Sequence, residues 1–74
     1  MNTHYYIQPS CGSIPESLRH WFTPDLAAVC NIARGVVIGL HGAGRKSAYA
    51  QVFEIPDDAP GIDERAKLRD CIEL

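Results

Sequence analysis

The chain contains no CxxC pair, and its three cysteines, Cys11, Cys30 and Cys71, stand far apart. An odd set without such a pair fits a reducing compartment better than a disulfide scaffold. No apolar run approaches the roughly 20 residues of a membrane-spanning helix. The start, MNTHYYIQ, lacks the charged and apolar regions of a signal peptide. A soluble, cytoplasmic chain that does not enter membranes is therefore expected. Repeats and low-complexity tracts are absent as well, and 74 residues allow one small domain, 1–74. Disorder is excluded by an apolar content of 46%, enough for a compact core.

Residues 36–47, VVIGLHGAGRKS, come close to two catalytic signatures and satisfy neither. A phosphate-binding loop needs GxxxxGK[ST] after a strand and before a helix, so that backbone N–H groups wrap the phosphates. Gly39 and Gly44 have that spacing, but Arg45 occupies the lysine position and displaces Lys46 and Ser47 by one. The segment that follows, SAYAQVFEIP, alternates with period two, which reads as a strand where a helix is required. The run VVIGLHGAG resembles the HGGG-type oxyanion segment of lipases and esterases in the α/β-hydrolase family. That resemblance covers about nine residues and implies a GxSxG nucleophile and a later histidine. Neither is present, and the expectation is a non-enzymatic protein.

The punctuation of the chain yields an element order. His4–Gln8 reads as a first strand, closed by Pro9 and Gly12, with Tyr5 and Tyr6 on opposite faces. Ser13-Ile14-Pro15-Glu16 has capping-box spacing, and Ile14, Leu18, Trp21 and Phe22 share a helical face. These predict a helix whose aromatic pair anchors the core. Thr23 as N-cap and Pro24 at the first position predict a second helix. Its stripe is Leu26, Val29, Cys30 and Ala33, and Gly35 is its stop. Val36–Leu40 and Ser47–Ile55 then read as an antiparallel hairpin with Arg45 and Lys46 at its tip. Over Ile62–Leu74, Asp63/Lys67 and Arg69/Glu73 are spaced for helical pairing, with a short strand at CIEL as the alternative. The expected fold is α+β: a three-stranded antiparallel sheet, helices on one face, order β-α(α)-β-β-α.

Metal and cofactor sites are not expected, because no two of the histidines and cysteines have ligand spacing. The charge map says more. Through Ser47 four basic residues, Arg19, Arg34, Arg45 and Lys46, outnumber Glu16 and Asp25; from Ala48 onward seven acidic residues outnumber Arg65, Lys67 and Arg69. The acidic stretch Glu54, Asp57, Asp58, Asp63 and Glu64 is the expected partner-binding surface, suited to a basic groove on a larger host protein or complex. Arg45 and Lys46 are the alternative site, contacting nucleic-acid phosphates directly; the acidic balance disfavours it. A small sheet also has open edges, so pairing with a second copy is a further expectation.

In size and general character the chain resembles the small inhibitors encoded by phages and other mobile elements, anti-CRISPR proteins among them. No motif carries that likeness, so no residue role follows from it. It implies a steric inhibitor or adaptor that blocks a nucleic-acid-handling host protein.

Overall fold

The computed structural model describes residues 2–74. Strand β1, Thr3–Pro9, is followed by a single 3-10 turn at Glu16–Leu18 and a two-residue strand β2, His20–Trp21. Helix α1 spans Leu26–Gly42, β3 Tyr49–Pro56 and β4 Lys67–Glu73. The sheet is antiparallel in the order β2-β1-β3-β4. The α+β class agrees with expectation, but the sheet has four strands and one α-helix covers it.

β1 and β3 arise where the sequence alternates. Opposite register partners Ile7 and Val52 are both fully buried beneath α1, whereas Tyr6 and Phe53 face the other side. Ile7, Ala50, Val52 and Ile72 of the sheet meet Val29, Ala33 and Val37 of the helix to form the main core. Tyr6 is buried, as one of the tyrosine pair should be, in a second cluster with Ile55 and Ala59 beneath the β3–β4 connection.

The largest correction concerns residues 36–42, which are helical, not a strand. Val37 lies four residues after Ala33 and eight after Val29, so continuing the helix adds a third fully buried side chain to one stripe. The β-branched propensity of Val36-Val37-Ile38 is worth a few tenths of a kcal/mol per residue, less than the ~1.5 kcal/mol or more gained by burying one aliphatic side chain. Gly35 therefore does not end the helix. Gly44, at φ +94°, does: its N–H donates to His41 O, and Arg45 N–H donates to Leu40 O at 2.9 Å. This pair of bonds is the Schellman arrangement, which needs a residue in the left-handed region. At the other end Asp25, not Thr23, caps the helix, accepting from Ala28 N–H at 3.2 Å.

The expected helix over Ile14–Phe22 is replaced by the 3-10 turn and β2. Trp21 Nε1 donates to Leu18 O at 2.7 Å, and His20 and Trp21 pair with Tyr6 and Tyr5. Trp21 packs on the core, whereas Phe22 is 70% exposed and anchors nothing there. The last segment is β4, so the helical spacing of Asp63/Lys67 and Arg69/Glu73 is not used; the strand alternative at CIEL is realised and extended back to Lys67.

Both sheet edges carry features that discourage pairing. β2 has two residues, and β4 bears four charged side chains and an irregularity opposite Val52/Phe53. The Asp70 carboxylate also accepts the Cys71 N–H at 2.8 Å, occupying a donor of the strand.

Candidate functional site

At the end of the sheet where β1 begins, a polar chain crosses between elements. His4 points to the face opposite α1 and is 2% exposed. Its Nδ1 lies 2.9 Å from Asp57 Oδ1, and its Nε2 lies 2.6 Å from His20 Nδ1. His20 Nε2 in turn faces Glu16 Oε1 at 3.7 Å. β1 supplies His4, β2 supplies His20, the 3-10 turn supplies Glu16, and the connection after β3 supplies Asp57. Register decides the meeting: His4 is opposite Ile55 and Tyr6 is opposite His20, so all point to one face.

Phe22 stacks on His4 with ring centroids 4.1 Å apart, and Tyr6 meets His20 edge-on at 5.0 Å. The Tyr6 hydroxyl accepts from Arg19 Nη1 at 3.2 Å. Beside this cluster opens a cleft of about 420 Å³ whose lining includes Thr3, His4, Phe22, Thr23 and Asp57.

Both ring nitrogens of His4 are engaged, which leaves it none with which to take a proton from a substrate in this arrangement. The outer nitrogen of His20 is directed at Glu16. Among the described residues no group of three or more His, Cys, Asp and Glu side chains is arranged to hold a metal ion. The three cysteines are free. Burial, and then the Asp70 carboxylate 3.5 Å away, raise the Cys30 thiol pKa above its ordinary value, away from nucleophilic character.

The acidic residues singled out in the sequence gather along the end of β3, the β3–β4 connection and the turn before β4, but most are held within the chain. Glu54 accepts from Thr3 Oγ1 at 2.7 Å and from Arg69. Those two hydrogen bonds, Thr3's first, hold its carboxyl below the usual range. Asp57 faces His4. Arg65 gathers two more, with Asp63 at 2.8 Å and Asp58 at 3.3 Å. The Arg65 hydrogen bonds lower the Asp63 pKa. Asp58 and Glu64 are exposed to solvent.

Arg45 and Lys46 are exposed, yet they lie in the turn from α1 to β3 and not at a hairpin tip. Gly39 lies within α1, so residues 39–47 run from helix to strand, the reverse of a phosphate loop. Sequence reasoning missed His4, His20 and Phe22. The only signal for them was a histidine at an inward position of a strand, which becomes informative only once β2 is known to pair with β1. No family model matches this chain, and neither a curated protein nor a solved structure does. Among the described residues no helix is long and apolar enough to cross a membrane.

Proposed function

We propose that this chain is a non-enzymatic protein-binding module that covers a basic, nucleic-acid-handling surface of a larger protein, as a steric inhibitor or adaptor. The observation that carries the reading is Phe22, an aromatic ring 70% exposed at the rim of a cleft whose other wall includes Asp57. A large ring held against a buried histidine presents apolar area at little entropic cost, and interface energy concentrates on such anchors. The open face of Phe22, with the Asp57 carboxylate nearby, suits an Arg or Lys side chain through cation–π contact and charge. Asp58 and Glu64 extend the negative potential around it, favouring encounter with a basic surface.

The full chain, tagged and incubated with host extract, should retain one defined protein whose nucleic-acid binding it suppresses. Phe22→Ala should weaken that complex by about 2 kcal/mol, roughly thirtyfold. Asp58→Lys with Glu64→Lys should slow association and remove its dependence on salt. A retained protein held equally well by all three forms, or one whose nucleic-acid binding is unaffected, refutes the reading.

A further inference from the structure

The outward face of α1 is unusual in what it omits. Arg34 is the only Lys, Arg, Asp or Glu in its 17 residues. Ala27, Asn31, Gly35, Ile38, Gly39 and Gly42 are exposed, Ile38 to 54%. Along this face an apolar groove of about 310 Å³ is lined by Ile14, Leu18, Ile32, Val36 and Leu40, with Gly35 and Gly39 between them. A Cβ at Gly35, Gly39 or Gly42 would meet nothing within 4 Å, so no contact within the chain calls for glycine there. Each glycine nonetheless disfavours the helix relative to alanine.

We propose that this face is the interface between two copies of the chain, with the α1 helices antiparallel about a two-fold axis at Gly35. Charge complementarity between the two ends of α1 favours a second copy in this register. Asp25 stands ten residues before Gly35 and Arg45 ten after, with Lys46 next to it, so each helix start meets the basic C-terminal turn of the other copy. The intervening positions match in the same register. Gly35 faces Gly35 and Ala28 faces Gly42; Ile32 stands level with Ile38 of the other copy, and its side chain, inclined toward its own helix N-terminus, lies over the neighbouring Gly39. Positions 28, 35 and 42 are spaced by seven, the repeat that keeps one helical seam against a partner. Antiparallel helices also set each dipole against its opposite. The glycines permit close approach of the two backbones, which is what their missing Cβ atoms supply. One self-complementary patch used twice is the isologous contact of a two-fold dimer. The guarded β2 and β4 edges leave this face, not the sheet, to the second copy.

Sedimentation equilibrium of the full chain over a wide concentration range tests this. The wild type should reach twice the chain mass, and raised salt should weaken association. Ile32→Asp and Gly39→Leu should each lower association at least tenfold while far-UV circular dichroism stays helical. Gly39→Ala separates the explanations further: it should raise the unfolding midpoint of the dilute monomer yet weaken the dimer. A wild type that stays monomeric to about 1 mM overturns the proposal. So does a Gly39→Leu chain that associates as well as wild type. Asp58→Lys with Glu64→Lys should dimerise normally, so failure here is distinct from failure of the acidic-end reading.

Discussion

His4 Nε2 and His20 Nδ1 face each other at 2.6 Å, and each ring's other nitrogen faces a carboxylate, Asp57 or Glu16. Two hydrogen bonds fix this geometry: one joins His4 Nδ1 to Asp57, and one proton lies between His4 Nε2 and His20 Nδ1. The pair ties β1, β2, the 3-10 turn and the β3–β4 connection together on the face of the sheet opposite α1.

His4→Ala should therefore be costly. It opens a cavity and strips a partner from both Asp57 and His20, and a loss of about 3 kcal/mol in urea unfolding is expected. Phe22→Ala, which removes an exposed ring, should cost less than about 1 kcal/mol. Equal losses for the two would contradict the placement of His4 as the buried centre.

Acid should weaken the fold through Glu54. Its carboxyl is held below its ordinary value by Thr3 and Arg69. A depressed folded-state value means stability present above the unfolded value, about 4.3, and lost as pH falls through the folded value. Urea midpoints measured downward from pH 6 should thus fall below about pH 4.5. In Glu54→Gln that fall should be shallower, and an unchanged profile would remove Glu54 as a contributor.

The left-handed residue at the end of α1 gives a backbone test. Gly44 has φ +94°, so Gly44→Ala should destabilise by about 1 kcal/mol. Amide hydrogen exchange should rise first at Gly44 and Arg45, whose N–H groups close the last turn.

Truncation in the shared core tests the packing of sheet on helix. Ile7 is fully buried between Val52 and the α1 stripe. Ile7→Ala should cost about 2–5 kcal/mol, a large share of what a chain this short can hold. Calorimetry should show a broadened or absent transition.

β1 and β3 could be read directly, because strict alternation over Tyr49–Ile55 and the run His4–Gln8 hold only one face in register. The start of α1 was legible to within two residues from Thr23 and Pro24. The wrong choices came where local signals competed. At Val36–Leu40 β-branched residues argued for strand while spacing from Val29 argued for helix, and burial under the sheet favoured the spacing. At Ile14–Phe22 a capping-box pattern met a chain whose Trp21 indole and His20–Trp21 backbone found better partners in Leu18 and β1. In Lys67–Glu73 only Ile72 is buried, so the side chains hold almost no pattern, and the open edge of β3 imposed the strand.

The acidic site divides in the same way. That Glu54, Asp57, Asp58, Asp63 and Glu64 would cluster follows from their closeness along the chain. That Arg65, Arg69 and His4 take up most of that charge does not, since it depends on distances between segments. Periodicity, capping residues and net charge are local quantities, and from them the amino-acid order alone established an α+β layer with its two central strands and an acidic second half. The length of α1, the fourth strand, the His4–His20 contact and the exposure of Phe22 were settled by packing. Each depends on which distant segment offers burial or a hydrogen-bond partner, and a choice between near-equal local states turns on that offer.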